Sequence, residues 1–182
     1  MAKQPQIENH SADALVQLVI TALMAALIFT FTFLPKVPIP GAHGGYVNLG
    51  DTVIFLAALF IGNPWAAAAA AIGSGLSDFL AGYTEYIIPT VLIKGIMGLV
   101  AAIFAKRDKP TVFKFGTFLC GIIMCGGYFG FALFYYKAGE NLGWVSAVND
   151  LPMNIAQAVV CMILSWLLYK PVLALKNKLI KQ

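Results

Sequence analysis

The chain reads as an all-α integral membrane protein, a bundle of six transmembrane helices with both termini cytoplasmic. Three observations predict it. Of 182 residues, 60% are hydrophobic and only 11% are charged, with a mean hydropathy of +0.82. A water-soluble domain needs far more charge to cover its surface. The apolar residues gather in runs close to the helix length that crosses a bilayer core, roughly 17–25 residues. Proline, glycine and the basic residues cluster in the short breaks between those runs, which is where such a chain turns.

The first span is expected at about 14–34 and stops at Pro35. The stretch PKVPIPGAHGGYVNLGD follows, and its prolines and glycines cannot continue a helix. The second span, about 48–62, has a short apolar run at its centre. It crosses only if it starts near Asn48, tilts, or is shielded by its neighbours. Asn63-Pro64 makes a tight break, and the third span is expected at about 65–82. Pro89 opens the fourth, 89–105; the fifth lies at about 112–136 and the sixth at about 145–169. The whole of 1–182 is one transmembrane domain on this reading, and no removable signal peptide is expected because no small-residue cleavage site follows the first apolar run.

Basic residues orient a membrane chain, because loops rich in Lys and Arg stay in the cytoplasm. With the N-terminus inside, nine of the twelve basic residues are cytoplasmic: Lys3, Lys106, Arg107, Lys109, Lys114, Lys170, Lys176, Lys178 and Lys181. Lys36 and Lys137 fall outside, and Lys94 is left within a span. The acids show the complementary pattern: Asp51, Asp78, Glu85, Glu140 and Asp150 lie at or near outer span ends, whereas Asp108 sits in an inner loop. A charge in hydrocarbon costs several kcal/mol unless it faces a polar cavity or a partner. The outer half of the bundle is therefore the expected site.

Three groups of residues can build it. The first is the loop with His43, Gly44, Gly45, Tyr46, Asn48 and Asp51, whose glycines allow either a close approach to a ligand or a plain turn. The second is Asp78, Tyr83, Glu85, Tyr86 and Lys94. Lys94 lies five residues past Pro89, about 8 Å along a helix. It serves a ligand, snorkels to the interface, or is neutralised by Asp78. The third is Asp150, Asn154, Gln157 and Cys161, spaced by four, three and four residues and so on one helical face. Amides there must turn inward, as interhelical glue or as ligand contacts. Trp144, beside Asn141, is a belt residue or a stacking platform for a ring. Such a pocket suits a neutral or weakly charged heteroaromatic solute.

Other classes lack support. There is no lysine/arginine stripe with interleaved aromatics for nucleic acid. GxxxxGK[ST], HExxH and GxSxG are all missing, so ATP hydrolysis and the common hydrolase chemistries have no motif. Cys120, Cys125 and Cys161 lack CxxC spacing and nearby histidines, and read as buried small hydrophobes. No metal, cofactor or catalytic residue is expected. Ala22 and Ala26 share a face of the first span, an AxxxA pair that lets another helix come close.

Over nearly its whole length the chain resembles the substrate-binding S components of energy-coupling factor (ECF) vitamin transporters. The residues that carry the resemblance are Gly44-Gly45-Tyr46-Val47-Asn48-Leu49-Gly50-Asp51, Gly73-Ser74-Gly75-Leu76-Ser77-Asp78 and Lys94-Gly95, with the AxxxA pair on the first helix. They look like the branch for riboflavin, hydroxymethylpyrimidine or pyridoxine. The resemblance implies a substrate-specific binding subunit in a prokaryotic plasma membrane, not an enzyme. It would take up its vitamin at the outer face and topple in the membrane to deliver it. Its partners would be a membrane T component and two cytoplasmic ATPases, with Ala22 and Ala26 docking on the T component. By position, the resemblance assigns the substrate to Asn48, Asp78, Glu85, Tyr86, Lys94, Trp144, Asn154 and Gln157. Hydroxymethylpyrimidine or pyridoxine comes first, riboflavin or another B vitamin next. The alternatives are a stand-alone ion-coupled carrier or channel, with Asp78 and Lys94 as a charge relay, and a membrane enzyme or scaffold.

Overall fold

The computed structural model describes residues 10–35, 37–38, 46–107, 109–135 and 142–180. The chain is built from α1 (His10–Phe33), β1 (Val37–Pro38), β2 (Tyr46–Val47), α2 (Gly50–Ile61), α3 (Trp65–Ala81), a 3₁₀ turn (Thr84–Tyr86), α4 (Ile87–Ala105), α5 (Pro110–Tyr135) and α6 (Leu142–Ile180). The two short strands pair antiparallel, Val37 opposite Val47. His43, Gly44, Gly45, Glu140 and Asn141 lie outside the described residues.

Local chemistry sets the ends. α1 stops just ahead of Pro35, which has no N–H to extend the ladder. α5 opens on Pro110, a position where the missing N–H costs nothing. α3 ends in a left-handed Gly82 (φ 81°). There the Tyr83 N–H donates to the Asp78 carbonyl at 2.9 Å and the Gly82 N–H to the Phe79 carbonyl at 3.2 Å, a glycine-dependent stop that folds the next turn back over the bundle. α6 runs on from Tyr169 to Ile180 with Pro171 inside it, beyond the expected end of the last span. Val172 and Leu173 still pack on the core there, and that burial offsets the one lost backbone bond.

Helix α2 is the centre. Nine of its twelve residues are buried, Asp51 and Thr52 among them, and it packs against α1, α3, α4 and α6. Around it the core gathers Ile28, Ile54, Phe55, Leu59, Met97, Phe113, Cys120, Met124 and Cys161. Close approach of α3 and α4 depends on small residues: a Cβ on Gly98 would sit 2.7 Å from the Ala66 carbonyl oxygen. The outward faces carry Leu15, Leu23, Phe79, Ile88, Phe134 and Leu167, all exposed, an apolar coat that suits lipid and not water. Four helical segments are long and apolar enough to cross a bilayer: Asp13–Phe33, Thr84–Ala105, Pro110–Phe134 and Gly143–Leu179. α2 and α3 are apolar but shorter, at 12 and 17 residues.

Candidate functional site

The site is organised by the N-terminal turn of α2. The Asn48 side-chain oxygen accepts the Gly50 N–H at 2.9 Å, which fixes the chain as it enters the helix. Asp51 follows in the first turn, where a carboxylate complements the helix dipole. Its Oδ1 receives the Lys94 ammonium from α4 at 2.5 Å, and the pair is only 1% and 3% exposed. Its Oδ2 receives the Gln157 amide from α6 at 2.7 Å. Gln157 in turn accepts the Asn48 backbone N–H at 2.9 Å, so one amide satisfies both the carboxylate and the incoming strand. The Met124 sulfur faces the same lysine at 3.2 Å. A buried ion pair repays its desolvation only when its remaining hydrogen-bond sites are filled, and the Gln157 amide and the Met124 sulfur fill part of them.

A second network lies nearer the expected outer face. The Tyr46 hydroxyl donates to Asp78 Oδ1 at 2.7 Å and meets Ser77 Oγ at 3.1 Å. Burial first, then the Asp78 carboxylate beside it, push the Tyr46 phenol well above its ordinary range, so it stays a donor at neutral pH. Aromatic rings complete the wall. Tyr46 stacks on Tyr83 at 5.3 Å, Tyr86 meets Phe131 edge-on at 5.2 Å, and Tyr128 shares a hydrogen bond of 2.9 Å with Thr90. The Lys94 ammonium lies 5.5 Å from the Tyr128 ring centre, within cation–π range.

Between these groups lies a cavity of about 50 Å³ lined by residues of the β2 strand, the 3₁₀ turn and helices α1, α3, α4, α5 and α6, Thr32, Thr90, Asp150 and Tyr128 among them. Six of the eight residues expected at the site are in its wall: Asn48, Asp78, Tyr86, Lys94, Asn154 and Gln157. Glu85 is not; it sits on the 3₁₀ turn, accepting the Thr84 hydroxyl at 3.4 Å. Trp144 is 62% exposed and packs edge-on against Phe129, outside the wall. The ion partner of Lys94 is Asp51, whereas the expected neutraliser was Asp78, which holds Tyr46 instead. The reason is α2, whose first turn is inserted between α4 and α6. Thr32, Thr90 and Tyr128 carried no signal in the sequence. Asp150 did, as a member of the α6 stripe. Cys161, on that stripe, is buried and turns its Sγ to the Asn48 carbonyl at 3.6 Å. Among the described residues, no group of His, Cys, Asp and Glu is placed to hold a metal ion.

A helical bundle with an apolar outer face and a polar, ring-walled cavity has the architecture of a membrane protein that binds a small solute. The comparison with known families makes this specific: the chain belongs to the family described as ECF-type riboflavin transporter, S component, whose model matches residues 13–174. It is 31% identical over 150 residues to the thiamine precursor transporter HmpT of Lactococcus lactis subsp. cremoris (strain MG1363), covering 82% of each chain. It is 35% identical over 129 residues to an uncharacterized protein in the gap 3′ region of Pyrococcus woesei, covering 70% of this chain and 82% of that one. A solved S component of a bacterial ECF transporter superposes with a TM-score of 0.70 at 19% identity, covering 93% of this chain and 99% of the other. The fold is thus that of an S component, a membrane-embedded transport subunit.

Proposed function

We propose that this chain is the substrate-capturing subunit of an ATP-driven vitamin uptake system, and that its ligand is a compact six-membered ring bearing hydroxymethyl or amino groups. Hydroxymethylpyrimidine and pyridoxine are the first candidates. The observation that carries the reading is the cavity itself. The rings of Tyr46, Tyr83 and Tyr86 line it, the Asp78 and Asp150 carboxylates can accept from hydroxyl or amino groups, and Asn154 and Lys94 can donate, while the Gln157 amide is held by Asp51 and Met124. Similarity to a thiamine precursor transporter supports the same ligand class. At about 50 Å³ the cavity has room for only a few water molecules. A single ring therefore needs a modest opening of the walls, and a tricyclic flavin a much larger one. The family description favours riboflavin, which is the second reading.

In this proposal six helices cross the membrane, with α2 short because its neighbours shield it. Both termini lie in the cytoplasm, as the lysine-rich ends of α4 and α6 and the start of α5 favour. Asn48, Asp78, Tyr86, Lys94, Asn154 and Gln157 contact or position the ligand, with Glu85 and Trp144 at the periphery. Ala22 and Ala26, both exposed on α1, meet a membrane T component, and two cytoplasmic ATPases drive the cycle. Calorimetric titration of the purified chain with B vitamins and their precursors tests the ligand. Saturable binding of a pyrimidine or pyridine ring, tighter than riboflavin, is expected. Absence of binding to every compound overturns the reading, and gradient-driven uptake by the chain alone in proteoliposomes favours an ion-coupled carrier.

A further inference from the structure

A second and larger cavity, about 820 Å³, opens at the other end of the bundle. Its walls come from the start of α1 (Val16, Ile20), the α2–α3 junction (Leu59 to Asn63), the end of α4 (Ala102, Ile103) and the end of α6 (Leu179). Nearly all of this lining is apolar. Four polar side chains interrupt it: Gln17, Asn63, Lys106 and Lys176, of which Asn63 already donates to the Leu99 carbonyl at 3.2 Å. The Gln17 side-chain nitrogen is buried and has no hydrogen-bond partner among the described residues. Among the described residues, neither lysine is in a salt bridge. Lys114, on the neighbouring helix, is occupied differently, lying 5.1 Å from the Trp166 ring centre.

This combination is asymmetric. A buried amide N–H without an acceptor is costly, and two ammonium groups at the rim draw negative charge. Apart from Asn63, whose amide is engaged by Leu99, the side chains of the rest of the cavity are hydrocarbon. Free phosphate would satisfy the donors and leave the apolar walls bare; a neutral hydrocarbon would do the reverse. We propose that this cavity is a binding site for an anionic phospholipid. The headgroup phosphate would lie between Lys106, Lys176 and the Gln17 amide, and an acyl chain along Val16, Ile20, Leu59 and Ile103. The charge matches the leaflet that attracts basic residues near a membrane surface. The site is distinct from the polar cavity around Asp51, so its test does not depend on the identity of the vitamin.

The test is native mass spectrometry and thermal unfolding of the full chain in detergent, with phosphatidylglycerol or phosphatidylcholine added at equal concentration. Retention of phosphatidylglycerol should exceed that of phosphatidylcholine, by roughly five-fold for each lysine engaged. The double variant Lys106→Gln/Lys176→Gln should erase the preference. The variant Lys109→Gln/Lys178→Gln, with the same loss of charge outside the cavity, should keep it. Gln17→Leu should weaken retention while leaving vitamin binding intact. Equal retention of the two lipids overturns the proposal, as does an equal loss in both double variants, which would mark diffuse surface attraction. Stabilisation by inorganic phosphate to the same extent as by phosphatidylglycerol also overturns it, since the acyl chain would then contribute nothing. If the lysines serve only the helix ends, their variant lowers stability alike in both lipids, and that too is decisive against the site.

Discussion

Helices α1 and α2 are both strongly apolar, and they do opposite things. α1 is long, and only 17% of its most apolar window is buried. Leu15, Leu18, Val19, Leu23 and Leu27 all face outward along it. α2 is half as long and buried at nearly every position. Hydropathy measures the cost of exposing a segment to water, and it does not say whether lipid or protein replaces the water. The difference lies in what each helix carries. α2 has a carboxylate in its first turn and must be surrounded by donors to exist in the bundle. α1 has no charge between Asp13 and its end and can turn its outer face to lipid or to another helix.

The largest expected effect follows from that contrast. Asp51→Ala leaves the Lys94 ammonium buried without its carboxylate, and should cost about 3–5 kcal/mol in thermal unfolding while abolishing ligand binding. The double change Asp51→Leu/Lys94→Met removes both charges together. It should recover most of that stability and none of the binding. Recovery of binding as well would mean that the pair is scaffolding only.

Gln157→Leu comes next. It strips Asp51 Oδ2 and the Asn48 N–H of their partners at once, and each such orphan costs about 1–3 kcal/mol. Because the incoming strand at Asn48 is then unpinned, ligand affinity should fall along with stability. Tyr46→Phe removes one hydroxyl, and with it the bond to the Asp78 carboxylate and the weaker contact with Ser77. A hydrogen bond to a charged group is worth about 1.5–3 kcal/mol, with the lower figure expected because Tyr46 is only half-buried. Isothermal titration of both variants separates the two cases: a loss for Gln157→Leu no larger than for Tyr46→Phe would show that the α6 amide is not a keystone.

How much of this was legible in the sequence depends on the kind of signal. Helix breaks were legible, because Pro35 and Asn63-Pro64 act within a residue or two of themselves, and α1, α2 and α3 end or begin beside them; Pro89 marks the start of α4 less sharply, since that helix already begins at Ile87. Asn154 and Gln157 were legible too, because two amides and an acid at helical spacing in an apolar segment have nowhere to go but inward. The partner of Lys94 was not. Asp51 is 43 residues away and Asp78 is 16, and nothing local says which carboxylate the packing of α2 delivers. Tyr128 and Thr90 were invisible for the opposite reason. A tyrosine and a threonine are ordinary in membrane helices, and only the approach of α4 to α5 joins them. For Trp144 the sequence offers a belt residue or a stacking platform, and only the packing sets its side chain exposed and outside the cavity wall.

The smallest effect on stability and ligand binding belongs to α1. Ala22→Leu and Ala26→Leu add bulk to an exposed face, and exposed substitutions of this kind usually stay within about 0.5 kcal/mol. The buried side of α1, with Thr21, Ile28 and Thr32, is untouched. If that outer face is a docking surface, the two leucines should block close helix approach. The isolated chain should then keep its affinity while losing co-purification with the T component and ATP-dependent uptake. Loss of affinity in the isolated chain would instead tie the face to the cavity through Thr32, which lines it from α1, and the division of labour between the two helices would fail. Undiminished assembly would fail it differently, by placing the partner on another side of the bundle. The apolar groove between α1, α2 and α6, walled by Met24, Leu27, Phe31 and Leu164, would then be the next surface to fill with bulk.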